Sequence, residues 1–486
     1  MKAVAISLLR YEKEIDDKLC YGAGRIHTAL GATLSSYFPR LCRISLILLP
    51  SYVQRWIRGE PHEPTKLHPT SALDGLRGCA AVVVFIFHFV FTFTWTIQLG
   101  YGFQENWWII LFPFIRLFHH GMCMVLVFFF VSGYVISYKP LMLMQRGSWD
   151  LLLHTLASSA FRRAFRLFIP SIVATLIVLA TVRMGFWEYP RQFAFDGVVM
   201  TGVQEPYPPR FPTLSDQLTH WGLTLNLMTS CWHWDNFYPE YDPHLWTIPV
   251  EYRSSLVLFL VLLALAKCRV AVRLALLFAA ICYCIHWDRW EIFLFLSGMF
   301  IAQVDLILLG RREKISTPNF NNANTSNHYR WTFLFILGAY LMSSPNIYME
   351  YAPGYKTLHS LAPSSITQKH RFIQSIGVVL LIHSLNNHLP LQRPFLTPIA
   401  QYLGKISYSF YIVHGPILHT LHYSLMPSIW AWTGREQVFG YVLGYLMSAV
   451  VCIPIVLWAA DLFWRGIDVP TVRFARWVEQ RCFVRS

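Results

Sequence analysis

Apolar runs of about membrane length recur along most of the chain, at 78–99, 121–138, 165–183, 245–266, 270–286, 291–309, 331–345, 371–388, 404–424 and 437–463. A run of roughly 18 or more apolar residues is long enough to cross a bilayer as a helix. Inside lipid every backbone N–H and C=O must find a partner within the protein, which leaves helices and closed barrels as the spanning structures. Only 14% of the 486 residues are charged and 55% are hydrophobic, whereas soluble domains average about 25% charged residues. The expectation is an all-α polytopic membrane protein with about ten transmembrane helices.

The net charge of +14 follows the same logic and does not call for a nucleic-acid partner. Basic residues gather in alternate connections. Lys139, Arg146, Arg162 and Arg163 follow the second run, Lys267, Arg269 and Arg273 the fourth, and Arg311, Arg312, Lys314 and Arg330 the sixth. The first, fifth and ninth connections hold Arg116, Arg289 and Arg435 singly, and the seventh, with Lys356 and Lys369, is the exception. With the positive-inside rule this alternation predicts that both termini are cytosolic. Three parts are expected: a basic N-terminal extension over 1–70 with an interfacial helix in 29–53, a membrane domain over 71–465, and a basic tail over 466–486. The ten cysteines show no paired CxxC spacing, so neither a disulfide framework nor a zinc site is predicted.

Against this apolar background the ionisable residues are few. In SALDGLRGCAAVVVFIFHFV, residues 71–90, Arg77 stands at the threshold and His88 lies deep in the run. Their separation of eleven residues turns a helix through about 1100°, which puts both on one face roughly 16 Å apart. An ionisable group at such depth is costly and starts as a functional candidate. Glu251, in HLWTIPVEYRSS, is a second candidate and needs a cationic partner. Arg253 points to another helix face, which leaves His88, Arg77 or a cation of another span. Arg163 and Arg166, at i and i+3 in FRRAFRLFIP, share a face and serve either as membrane-edge anchors or as a phosphate clamp. Tyr411 and His414, again i and i+3 in LGKISYSFYIVHGPI, are secondary candidates. The long connection 184–244 is rich in Pro and aromatics. Its cluster of His233, Asp235, Glu240, Asp242 and His244 reads as a hydrogen-bonded lid in preference to a metal site, since no ligand spacing is present. Gly133 in FFFVSGYVIS reads as a close-packing position.

Five of these segments, LDGLRGCAAVVVFIFHF, FFFVSGYVIS, RRAFRLFIP, HLWTIPVEYRSSL and LGKISYSFYIVHGPI, occur in the order seen in the acyltransferase-3 family of integral membrane acyltransferases. The chain resembles that family over about 70–465, and its long aromatic loop resembles fungal members. The resemblance implies that Arg77 and His88 are the family's first-span Arg and His, that Arg163 and Arg166 are its RxxR motif associated with the acyl-CoA donor, and that Glu251 is the Glu of its LWSLSVE motif. Many bacterial members carry a second acidic residue directly after that Glu, where this chain has Tyr252.

The implied reaction is O-acyl transfer, with acetyl-CoA the simplest donor and no bound cofactor, to a hydroxyl of a lipophilic or carbohydrate acceptor, in a secondary-metabolite pathway. A histidine base suits the deprotonation of an alcohol attacking a thioester. The catalytic set expected is His88, Glu251 and Arg77, with Glu251 orienting the ring. The competing class is a proton-coupled transporter or lipid carrier, which would favour internal repeats; none is visible. The compartment is either the endoplasmic reticulum or the plasma membrane.

Overall fold

The structure, a computed structural model, describes residues 48–57, 67–315 and 324–484. The chain divides into two units, Met1–Glu63 and Pro64–Ser486. Among the described residues the first contributes one short helix, Ser51–Ile57; most of the interfacial helix expected over 29–53 lies outside the described residues.

The second unit is helical, without strands among the described residues. Its principal helices are α1 (Ser71–Phe91), α2 (Gly121–Arg146), α3 (Trp149–Arg183), α4 (Leu214–Thr229), α5 (Thr247–Ala264), α6 (Val270–His286) and α7 (Trp290–Ile315). After these come α8 (Asn324–Met342), α9 (Lys369–Asn387), α10 (Pro398–Ile417), α11 (Tyr423–Thr433), α12 (Val438–Phe463) and α13 (Val469–Cys482). Among the described residues six stretches are long and apolar enough to cross a bilayer: α1, α2, α3, Pro243–Ala264, Trp290–Gly310 and Val438–Cys482. Helix α6 is apolar but shorter.

Two expected boundaries move. The first helix begins at Ser71 and ends at Phe91 instead of covering 78–99, because the carbonyls of Phe91 and Thr92 accept hydrogen bonds from the amides of Val203 (3.2 Å) and Gly202 (3.0 Å). A partner for these terminal carbonyls from another segment ends the helix there. The third helix starts at Trp149, well before 165, and its 35 residues extend about 52 Å, so the basic turn holding Arg162, Arg163 and Arg166 sits near its middle.

Helices meet through glycines. A Cβ on Gly133 of α2 would stand 2.4 Å from the Phe295 carbonyl oxygen, and one on Gly298 of α7 would stand 2.5 Å from that of Phe130. Only glycine permits this α2–α7 approach, as small residues do at helix crossings in membranes. Helix α1 is held between α2 and α10. Phe87, Phe129, Phe130 and Phe295 are nearly or fully buried around the crossings. Asp305, on α7, is tied by His383 (2.9 Å) and by Asn387 (2.7 Å) and Tyr134 (3.1 Å), a structural knot that accounts for His383.

Candidate active site

Two polar centres share Tyr411. The first is a cavity of about 150 Å³ between α2, α3, α5 and α10, walled by Arg77, Arg163, Arg166, Ser132, Glu251, Thr247, Tyr408 and Tyr411 among apolar residues of α2. Arg163 Nη2 donates to Glu251 Oε1 at 2.6 Å, its Nε donates to Ser255 Oγ at 3.0 Å, and Ser132 Oγ donates to Glu251 Oε1 at 3.0 Å. The partner of Glu251 is therefore Arg163 of the RxxR turn, not His88. Arg77 reaches Ser407 Oγ (3.5 Å) and Asp74 (3.6 Å). Arg253 does face away, pairing with Glu291 at 3.3 Å.

The second centre surrounds His88 and is delivered largely by the 184–244 connection. His88 Nδ1 lies 3.1 Å from Glu205 Oε1, and His419 Nε2 lies 2.8 Å from Glu205 Oε2. His244 Nε2 is 3.4 Å from Glu205 Oε1, an ion-pair distance without hydrogen-bond geometry, since that nitrogen is left without a hydrogen-bond partner. His244 Nδ1 is bonded to Asp242 Oδ1 at 2.8 Å. His414 Nδ1 is bonded to the Tyr411 carbonyl at 2.6 Å, while its Nε2 is buried and unpartnered. The His88 ring stands 4.1 Å from that of His244 and 5.5 Å from that of His414, centroid to centroid. A carboxylate facing Nδ1 assigns the proton of a neutral His88 to that atom, leaving Nε2 as the basic nitrogen.

Glu205 is 10% exposed. Burial works against its charge, yet His244 and His88 beside it hold its carboxyl well below the ordinary value of 4.5. A buried carboxylate among imidazoles stays ionised because each ring stabilises that form.

Sequence reasoning missed Glu205. It lies 117 residues from His88, and the only signal was an isolated carboxylate opening the stretch EPYPPRFP. Its position depends on Gly202, whose amide donates to the Thr92 carbonyl just past the end of α1; a Cβ there would stand 2.1 Å from the Phe91 carbonyl oxygen. Of the cluster expected as a lid, Asp242 and His244 are buried in this centre, whereas His233, Asp235 and Glu240 are exposed. The segment buries its own Trp187, Tyr207 and Tyr241, and its Gln217 bonds the Phe211 amide (3.0 Å) and the Tyr241 hydroxyl (2.8 Å).

Tyr411 belongs to both centres. It lines the cavity, its hydroxyl is bonded to Thr247 Oγ1 at 2.8 Å and to the His244 carbonyl, and its own carbonyl holds His414. His88 is not on the cavity wall; Tyr411 stands where the two centres meet. The donor atoms of His88, His244 and His414, and those of Glu205, His244 and His419, lie within 4.8 Å of one another, sets that nitrogen-preferring transition metals can occupy and that also carry protons.

The acyltransferase domain profile matches residues 70–461. The chain belongs to the acyltransferase-3 family. The O-acetyltransferase PaAT-1 of Phomopsis amygdali is 30% identical over 459 residues, covering 90% of this chain and 88% of that protein. An acyltransferase of Cochliobolus lunatus is 26% identical, covering 82% and 94%, and one of a Phoma species is 24% identical, covering 84% and 96%. No solved structure matches the chain. It is an acyl-group-transferring enzyme, and its apolar helices fit a multi-pass membrane protein.

For this acyltransferase-3 chain the Gly202 contact carries a test. Gly202→Ala is expected to lift the loop from α1, move Glu205 and reduce acyl transfer by ~10²-fold, with little change in the thermal unfolding midpoint. An unchanged rate would show that the loop's seat on α1 does not position the site.

Proposed function

We propose that the protein is a membrane O-acyltransferase that carries an acyl group, most simply acetyl, from acyl-CoA to the hydroxyl of a small lipophilic or carbohydrate acceptor. The observation carrying this reading is the His88–Glu205 pair above a cavity edged by Arg77, Arg163 and Arg166. In the proposed step His88 Nε2 takes the hydroxyl proton as the acceptor oxygen attacks the thioester carbonyl. The new ester C–O bond forms, the C–S bond breaks, and the proton passes to the departing CoA sulfur. Glu205 keeps the Nδ1 proton in place and steadies the imidazolium, as the third member of a triad does. That is the role first expected of Glu251, which here instead holds Arg163 toward the donor.

Arg77, Arg163 and Arg166 bind the anionic donor, and His414 is a second imidazole on the path of the reacting groups. The thioester reaches His88 by displacing the Tyr411–Thr247 contact. This reading requires no resident metal or cofactor, and it treats the imidazole cluster as proton carriers.

In the membrane we propose about ten spans, α8, α9 and α10 among them, with both termini and the RxxR turn in the cytosol beside the acyl-CoA pool. The parts are the N-terminal extension over 1–70, the membrane domain over 71–465 and the tail over 466–486. The membrane is that of the endoplasmic reticulum or the cell surface, and a secondary metabolite is the acceptor, as the resemblance to fungal family members implies. The test is incubation of purified protein with acetyl-labelled acetyl-CoA and an extract of the source organism. Label should pass to an extract component as an ester. Consumption of acetyl-CoA without a labelled ester, or no consumption, would overturn the reading.

A further inference from the structure

A second chamber adjoins the first. It holds about 290 Å³ and is walled by Ser159, Arg162, Arg163, Arg166, Phe259 and Arg476, with further apolar residues of α2 and α13. Arg163 and Arg166 line both chambers, so the two meet at the RxxR turn. The outer wall carries four guanidinium groups and no carboxylate.

Those four arginines are not equivalent. Arg163 is committed to Glu251, and Arg162 Nε is committed to Glu479 at 3.0 Å. Arg166 and Arg476 are exposed and make no ion pair among the described residues. Arg476 is brought there by α13, the C-terminal helix, which is seated along the first half of α3. Its contacts include the Arg162–Glu479 bridge and the ring pairs Phe165–Phe474 (6.1 Å) and Phe161–Phe483 (5.4 Å). Burying Ala475 and Glu479 against α3 leaves Arg476, on the neighbouring face, turned to the chamber.

A pocket whose own wall has no carboxylate and where Arg476 and Arg166 make no ion pair among the described residues, Arg166 also facing the charges of Asp468 and Asp74, suits a ligand with several negative charges, since arginine's planar fork matches phosphate oxygens. The inner cavity is smaller and differs in its far wall, where Phe128, Phe129 and Val131 of α2 and the carboxylate of Glu251 stand beyond the shared arginines. An acyl-CoA has this same polarity along its length: a 3′-phospho-ADP end, then an uncharged pantetheine arm, then the thioester.

We propose that Arg476, together with Arg166, binds the phosphates of the 3′-phospho-ADP end of the donor, which makes the C-terminal helix α13 part of the acyl-CoA site. The pantetheine arm then passes between Arg163 and Arg166 into the inner cavity. This inference rests on the donor reading given above and adds the place of the nucleotide.

The experiment measures binding of CoA, dephospho-CoA and pantetheine to the full-length protein in detergent, for wild type, Arg476→Ala, Arg476→Lys and Arg473→Ala. Arg473 is an exposed arginine of α13 outside the chamber and controls for general charge. Arg476→Ala is expected to weaken CoA about 10-fold, Arg476→Lys less, and Arg473→Ala not at all, given the strength of charge-assisted bonds. The wild-type preference for CoA over pantetheine should shrink in Arg476→Ala. In turnover its KM for acetyl-CoA should rise about 10-fold, with kcat falling far less. Equal CoA binding by wild type and Arg476→Ala would overturn the inference alone. So would CoA binding that is insensitive to Arg476 while anionic phospholipid binding depends on it, which would assign the chamber to a lipid headgroup. A wild type that binds no CoA would overturn the donor reading, and this inference with it.

Discussion

His88→Ala is expected to lower the rate of acyl transfer by ~10²–10⁴-fold, the range carried by a positioned general base. The variant should still purify as a folded membrane protein, because its neighbours His244, His414 and His419 keep their own partners Asp242, the Tyr411 carbonyl and Glu205. Initial rates of thioester consumption in the presence of acceptor check it, and near-wild-type turnover would remove His88 from the chemistry. Glu205→Gln belongs to the same experiment. The amide still accepts from Nδ1 but no longer stabilises an imidazolium, so its rate should fall between the two. Its pH dependence has a definite sign. The Glu205 carboxyl is held well below 4.5, so its contribution to stability is present above that value and is lost as the pH falls through the lower folded value. Thermal midpoints of wild type and Glu205→Gln should therefore differ near neutrality and converge in acid.

Glu251→Ala should damage the fold as well as the reaction. It removes the carboxylate 2.6 Å from Arg163 and leaves a guanidinium that is 13% exposed without its counter-charge. Removing one partner of such a buried pair costs ~3–5 kcal/mol. Loss of monodispersity or a sharply lower unfolding midpoint in detergent is the expected readout. Glu251→Gln, which still accepts from Arg163 and Ser132, should keep the fold and lose donor affinity. The double variant Glu251→Ala with Arg163→Ala should be more stable than the sum of the single losses, since neighbours in one network are non-additive. Additive losses would mean that the pair is not the reason Glu251 is there.

The candidate set was legible to different extents. His88 stood out because a lone histidine in an apolar run has few structural excuses, and the structure places it among polar partners. Gly133 was readable as a packing residue, and the α2–α7 crossing explains it. Arg253 was rightly separated from Glu251, because two residues along a helix turn a side chain to another face. What was not legible was pairing. Glu251 and Arg163 are 88 residues apart, and each had several plausible partners. Glu205 sits in a connection with no helical or strand period to give it a direction. The meeting of Tyr411 with Thr247 and His244, which stands where the donor cavity and the histidine cluster meet, is likewise a product of three segments.

By itself the sequence determined the helical class of this protein, since apolar runs of that length can satisfy their backbone groups within a single helix. It also determined which ionisable side chains fall within the apolar runs, where each must carry a reason for its desolvation. Only the tertiary structure decided which of those charges answer one another. Carboxylate and guanidinium groups attract across any helix pair that brings them within a few ångströms. Which helices come that close depends on glycine crossings and on a loop amide meeting a helix end. Gly202 docking on Phe91 therefore gives His88 its carboxylate, and the seat of α13 on α3 adds Arg476 to the pocket beside Arg166.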